Sequence, residues 1–350
     1  MLFVEGYKNE LGTYVENFED TFKTLKNSCI LITGAAGLIG SYIIDLIITA
    51  NQKFDLNIKV IAVDLNRELL DTRFPNEFSE TVQKYYYDVN TVQSDLTDVD
   101  YVIHAASNTS PTDYATKPVS TIQTNLIATD ALLSKAVKNS VKRFLFCSSV
   151  EAYGLNNGDT DMFHEDYSGY VNCNTLRAGY PSAKRAAEAL CNAYSAEYNL
   201  DFVIARIGRI YGPTIISGDA KAPSQFINNA VLSQNIIMKS DGKQDFSFGY
   251  VGDCATALLM LLVKGVKGEA YNVAGPDSRM YLRTFAEYAA KAGGTEVIFT
   301  PPTEIEKQGY SKVTKATMCM EKLLALGWKE YTTPENGIYK TVQYLKNKGE

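Results

Sequence analysis

The stretch Ile30-Leu-Ile-Thr33-Gly34-Ala-Ala-Gly37-Leu-Ile-Gly40 decides the fold. An apolar run of strand character stops at Gly34, and a helical repeat then begins at Leu38, Ile39, Tyr42, Ile43, Leu46 and Ile47. The glycines between them are spaced G-x-x-G-x-x-G. Gly34 permits the tight turn out of the strand, Gly37 lets a pyrophosphate approach the backbone, and Gly40 lets the helix pack closely on a sheet. The first N–H groups and the positive dipole end of that helix then face the phosphates. A glycine triplet alone is a weak signal. With a strand before it and a helix after it, it becomes a dinucleotide fingerprint. The next apolar run, Ile58-Lys-Val-Ile-Ala-Val-Asp64, ends in an acid at the distance that suits the hydroxyls of an adenosine ribose. Asp64 would repel a 2′-phosphate, so NAD is the expected cofactor. Arg67, three residues on, softens that preference and keeps NADP open.

The 350 residues suffice for a large core, as one domain or two joined lobes. A hydrophobic content of 45% and a charged content of 21% are ordinary for a globular enzyme. The net charge of −6 leaves no surplus of Lys and Arg to neutralise phosphates, which argues against a nucleic-acid partner. No apolar run approaches the ~20 residues that span a bilayer. The N-terminus lacks a basic stretch followed by an apolar core, so neither a membrane partner nor a signal peptide is expected. The six cysteines form no C-x-x-C pair and read as reduced, buried small residues. With only His104 and His164 available, no metal site is expected. The expected compartment is the cytoplasm.

Residues 1–27, with Tyr14, Phe18 and Phe22, predict one or two amphipathic helices packed on the main body. From residue 29 to about 150 strand and helix patterns alternate, which predicts a doubly wound α/β sheet of parallel strands with right-handed crossovers. Asp88 and Val89 close the strand pattern at Tyr85–Tyr87 and are placed to bracket an adenine ring. The strand from Asp100 ends in Ala105 and Ala106, whose small size leaves room for a cofactor, with His104 in its wall. A helix over 119–138 contains Asn125, and the strand from Val141 ends in the hydroxyls of Ser148 and Ser149. In such sheets ligands gather at the carboxyl ends of the strands, where Gly34, Asp64, Asp88, Ala105 and Ser149 all fall. A polar loop over 155–176, a helix over 181–197, a strand over 202–206 and a turn at Tyr211-Gly212-Pro213 follow. Shorter elements then lead to a final helix near 336–346. The expected division is an N-terminal helical extension over 1–27, a dinucleotide-binding lobe over 28–178 completed by 179–210, and a smaller α/β lobe over most of 211–350.

Tyr180-Pro-Ser-Ala-Lys184 opens the helix after the loop, and the i, i+4 spacing puts both side chains on one face. A free phenol is a poor base at neutral pH, but a nearby ammonium favours the phenolate. Ser149 is placed to donate to the same substrate oxygen. The three would suit removing a proton from a sugar hydroxyl while a nicotinamide takes the hydride.

With these residues in order, the chain resembles an extended short-chain dehydrogenase/reductase of the NAD-dependent epimerase/dehydratase family, which acts on nucleotide-linked sugars. The resemblance is carried by Thr33–Gly40, His104-Ala-Ala-Ser107, Ser148-Ser149-Val-Glu151-Ala-Tyr153-Gly154, Tyr180-x-x-x-Lys184, Arg206 to Pro213, and Leu324-Ala-Leu-Gly327-Trp328. It covers roughly residues 28–346. It implies a Rossmann N-terminal lobe, a smaller lobe for the nucleotide-sugar, and a homodimer. The cofactor-binding residues it implies begin with Gly34, Ala36, Gly37, Leu38, Ile39 and Gly40, and continue through Asp64, Leu65, Asn66, Arg67, Asp88 and Val89. They go on through His104, Ala105, Ala106, Ser107 and Asn125 to Cys147, Ser148, Tyr180, Lys184, Arg206 and Ile207. Catalysis is expected from Ser149, Tyr180, Lys184 and Glu151, and substrate contacts from Ser107, Thr109, Glu151, Arg209, Phe246 and Arg279.

Within the family, Glu165–Asn172, Arg177-Ala-Gly-Tyr180 and Lys184–Glu188 resemble the active-site loop and helix of UDP-glucuronate decarboxylases. Two departures matter. The serine that helps hold the substrate carboxylate there is Val150 here, and the arginine expected in Gly242–Phe248 is Phe246. Val150 also replaces the acid of the 4,6-dehydratases. Arg209 stands where many relatives have an asparagine and is a candidate to supply positive charge from another direction. Epimerisation through a transient ketone, or reduction of a keto-sugar, is the leading expectation. The rivals are a decarboxylase or dehydratase using Arg209 and Glu151, and a non-catalytic NAD-binding sensor.

Overall fold

The computed structural model describes residues 4–91, 97–109, 114, 116–301 and 313–348. The apolar run at Cys29–Thr33 forms β1, which the helix α3 (Leu38–Phe54) links to β2 (Lys59–Asp64). A short helix α4 (Arg67–Arg73) leads to β3 (Val82–Tyr86) and then to β4 (Tyr101–His104). Helix α5 (Pro118–Lys138), β5 (Arg143–Ser149), α6 (Gly179–Tyr198) and β6 (Phe202–Ile207) complete the alternation. With β10 (Ala270–Val273) these strands form one seven-stranded sheet of order β10-β6-β5-β4-β1-β2-β3, with every pairing parallel. Strands buried on both faces need cover on both, and two apolar layers provide it. The order reverses between β1 and β4, which makes their carboxyl ends the crevice for a ligand.

The smaller lobe is built on β7 (Arg209–Tyr211), α7 (Ala222–Val231), β8 (Ile236–Met238) and β9 (Asp245–Tyr250). Strand β9 lies between β11 (Arg279–Tyr281) and β13 (Lys315–Ala316) and also pairs with β7. Helix α9 (Leu282–Gly293), β12 (Val297–Phe299), which pairs with β8, and the closing helix α10 (Pro334–Asn347) complete it. The division expected at residue 210 is crossed. Helix α8 (Val251–Lys264) and β10 (Ala270–Val273) return to the large sheet, β10 pairing with β6. Helix α8 is buried at every position from Val251 to Leu262, and a helix apolar all round must be covered on all sides.

The N-terminal residues form α1 (Glu5–Asn17) and α2 (Glu19–Thr24). The buried positions Tyr7, Leu11, Tyr14 and Val15 of α1 follow the helical repeat. The same face buries Glu10. One of its carboxylate oxygens accepts from the phenols of Tyr42 in α3 at 2.8 Å and Tyr250 at the end of β9 at 2.5 Å. The other accepts from Tyr344 at 3.3 Å and pairs with Lys340 at 3.1 Å, both in α10. A single buried acid thus joins the extension to both lobes. Replacing it strands three phenols and an ammonium, and breaking a buried ion pair on one side costs about 3–5 kcal/mol. Glu10→Ala is therefore expected to lower the thermal midpoint by at least about 5 °C. An unchanged midpoint in calorimetry would contradict the clamp.

Candidate active site

The strand-to-helix turn follows from the glycines. Gly34 has φ +70°, and a Cβ there would lie 2.9 Å from the amide nitrogen of Ala106 at the end of β4. Helix α3 starts at Leu38 with Gly37 as its cap and no side-chain capping bond, so its leading N–H groups have no capping oxygen from a side chain. Asp64, at the end of β2, accepts from the N–H of Ala36 at 2.9 Å and of Asn66 at 2.9 Å, which fixes its carboxylate beside the turn. Asn66 caps α4, and Leu65 is exposed. Arg67 lies over the Tyr86 ring at 4.8 Å and pairs with Asp71 at 3.6 Å. Val89 is buried, and Asp88 accepts from Asn90 N–H. Across the crevice the Thr33 hydroxyl bonds His104 Nδ1 at 2.7 Å, while His104 Nε2 is buried without a partner among the described residues. Burial pushes His104 down to about 3, so its ring is neutral. Ser107 donates to Asn125 at 2.8 Å, so β4 and α5 are tied at the site.

Ser149 ends β5 opposite Ile207 of β6, and its hydroxyl accepts from the Glu151 N–H at 3.2 Å. Tyr180 and Lys184 sit on the buried face of α6. Burial pushes the Tyr180 phenol up to about 12, with Glu151 adding to the rise, while hydrogen bonds with Ser149 and Ser107 pull it down. Lys184, expected from the spacing to tune Tyr180, is engaged with β5. The ammonium donates to the Cys147 carbonyl at 2.7 Å and stands 4.7 Å from the centroid of the Phe146 ring and 5.8 Å from that of Tyr180. Burial lowers Lys184 to about 8. The i, i+4 geometry brings the two together, and burial is the largest influence on each of them.

The model of the NAD dependent epimerase/dehydratase family matches residues 30–274. The chain belongs to that family. It is 29% identical to UDP-glucuronic acid decarboxylase 1 of Danio rerio over 327 residues, 92% of this chain and 73% of that protein. It is 33% identical to UDP-glucuronic acid decarboxylase 4 of Arabidopsis thaliana over 71% of this chain and 53% of the relative. The UDP-glucose 4-epimerase of Thermotoga maritima shares the fold with a TM-score of 0.79 and 24% identity, over 92% of this chain and all of that one. Among the described residues no helix is long and apolar enough to cross a membrane.

In this epimerase/dehydratase-family chain, several residues expected to meet cofactor or substrate are engaged with other side chains. Arg206 is committed to Glu188, at 2.7 Å, and to the Glu165 carbonyl, and Ser148 donates to Glu188 at 2.5 Å. Their side chains hold β5, β6 and α6 together. Arg279 is neutralised by Asp245 at 2.7 Å and Asp161 at 2.9 Å, so a phosphate contact would require those pairs to open. Thr109 is exposed and accepts from Lys221 at 3.2 Å. Phe246 is buried under Arg209, whose guanidinium lies 3.5 Å from the ring centroid and 3.8 Å from Glu151. Sequence reasoning missed Tyr114, whose ring stacks on Tyr180 with centroids 4.9 Å apart. The sequence around it has no periodic pattern to mark it. Away from the expected sites, His164, Cys319 and Glu321 bring ligand atoms within 4.8 Å of one another. Desolvation raises the Cys319 thiol and so disfavours the thiolate a metal would need.

Lys184 allows a test of the buried charge. Its proton leaves the folded chain near pH 8 and the unfolded chain near 10.5, so between these values the unfolded chain binds more protons. This residue therefore adds stability as pH rises through that window. Lys184→Met lacks the gain. Urea unfolding of both proteins at either end of the window is expected to show a smaller rise for the variant, and parallel curves would contradict the burial.

Proposed function

We propose that the protein is an NAD-dependent oxidoreductase acting on the sugar ring of a nucleotide-linked sugar, by epimerisation through a transient ketone or by reduction of a keto-sugar. The observation that carries this is the buried face of α6, which sets Tyr180 and Lys184 against the carboxyl end of β5, Lys184 donating to the Cys147 carbonyl there, at the same end of the sheet as the glycine turn. The residues present fit NAD. The uncapped start of α3 behind Gly34 and Gly37 suits a pyrophosphate, and Asp64 suits a ribose diol. The partnerless Nε2 of His104 lies in the same crevice. Arg67 is engaged with Asp71 and Tyr86, which supports NAD over NADP. When bound, NAD would supply the hydride acceptor or donor.

The chain's own residues would do the rest. Ser149 and Ser107 orient a ring oxygen toward Tyr180 Oη. At rest the phenol keeps its proton, which suits delivery to a ketone oxygen. In the oxidative direction the same oxygen, after giving up its proton to solvent, would take the proton of a ring hydroxyl as the phenolate, with the Ser149 hydroxyl placed to stabilise its charge. Lys184, fixed by the Cys147 carbonyl, positions the helix face that carries Tyr180 and is a candidate ligand for the nicotinamide ribose. The neutral His104 adds no competing charge. The homodimer belongs to this proposal, supported by the apolar residues Val119, Ile122 and Ile127 that α5 leaves 40–65% exposed.

A second outcome has an observation in its favour. Arg209 beside Glu151 supplies positive charge that Val150 and Phe246 do not, and the relatives of highest identity quoted above are named UDP-glucuronic acid decarboxylases. NMR of product mixtures separates the outcomes. A C4 epimer or reduced sugar is expected on the first reading. Release of carbon dioxide from a nucleotide-linked uronic acid would overturn it in favour of decarboxylation. Tyr180→Phe is expected to lower turnover at least about 100-fold while NAD binding is retained. Turnover within a few-fold of the parent would remove Tyr180 from the chemistry.

A further inference from the structure

Resting on the nucleotide-sugar reading above, we propose that Arg209, laid on Phe246 and facing Glu151, is the residue that selects a substrate carrying a carboxylate on its sugar ring. Strand β7 pairs with β9 so that Arg209 lies opposite Phe248, and Phe246, two residues before it, projects from the same face. The guanidinium rests 3.5 Å from the centroid of the Phe246 ring, a cation–π contact that fixes its plane. Phe246 meets Phe248 edge-on at 6.0 Å, and Phe248 meets Phe285 at 5.1 Å, so the platform is part of the lobe's core. Arg209 is held from below and 24% exposed above.

Its donors are not used up. A guanidinium has five N–H groups in a planar fork suited to a carboxylate. The nearest acid, Glu151, stands 3.8 Å from Nη2, which is an ion pair but too long for a hydrogen bond. Nη1 is buried with no acceptor among the described residues, and a buried cation left short of acceptors is costly. Arg177 adds a like charge whose repulsion reaches Arg209, and its guanidinium lies 5.6 Å from the centroid of Tyr114, the ring stacked on Tyr180. Two guanidiniums are therefore close enough to repel each other, and among the described residues Arg209 has only Glu151 to offset its charge. A second anion would balance them and fill the vacant fork.

A sugar carboxylate and the substrate's pyrophosphate offer the same charged oxygens. The carboxylate is favoured because Glu151, the partner of Arg209, donates its N–H to the Ser149 hydroxyl at 3.2 Å, which places Arg209 toward the reacting end. The position also explains why Phe246 is tolerated. The charge missing from β9 is carried by the neighbouring strand and rests on the aromatic ring that took its place.

Calorimetric titration of the NAD-loaded protein and of Arg209→Gln with UDP, UDP-glucose and UDP-glucuronate tests this. The parent is expected to bind UDP-glucuronate at least about tenfold more tightly than UDP-glucose, and Arg209→Gln to lose that preference. Arg209→Lys, which keeps the charge without the fork, is expected to fall between them, and it keeps the test open should the Gln variant not fold. Equal binding of the two sugars by the parent would overturn the proposal. So would a loss in Arg209→Gln that is the same for UDP alone, since Arg209 would then read the pyrophosphate. Failure of the parent to bind any of the three would instead strike the nucleotide-sugar reading beneath it.

Discussion

The turn at Gly34 is the constraint on which the site depends. Its left-handed backbone and the 2.9 Å that a Cβ would have to Ala106 leave no place for a side chain. That closeness is what brings the ends of β1 and β4 together at the reversal of strand order. The Thr33–His104 bond crosses the same gap and fixes the ring that walls the crevice. From this edge Asp64 is reached along β2, Ser107 along β4, and Ser149 along β5. A bulkier residue at Gly34 would separate the strands on which all of them stand.

Burial governs the chemistry at the other side of the crevice. Tyr180, Lys184 and His104 are all pushed toward their neutral forms because water is excluded. The serine hydroxyls offset this in part for Tyr180. The exception is Arg209, beside Glu151. A guanidinium stays charged even when desolvated, so Arg209 keeps a positive field where other groups lose theirs.

Much of the fold was legible in the chain because it is written in local patterns. Strand and helix alternate through residue 207, the glycine spacing marks the turn, and Tyr180 and Lys184 share a helix face by their spacing alone. What was not legible depends on contacts between distant residues. The return of α8 and β10 to the large sheet answers the burial of a helix on all sides. The stacking of Tyr114 on Tyr180 and the capture of Arg206 and Ser148 by Glu188 leave no periodic trace. Arg209 and Phe246 were noticed separately as departures. Only the pairing of β7 with β9 makes them one feature.

The central claim is that Tyr180, Ser149 and Lys184 form a working hydride-transfer site over NAD. The most direct measurement is the absorbance of the reduced nicotinamide when the NAD-loaded protein is mixed with nucleotide-linked sugars in a single turnover. The account predicts that the reduced band rises with at least one sugar, and that Tyr180→Phe with NAD still bound gives no rise. A band that never moves with any uridine-, thymidine-, guanosine- or cytidine-linked sugar, although NAD is bound, would contradict it and leave a binding protein on a catalytic fold.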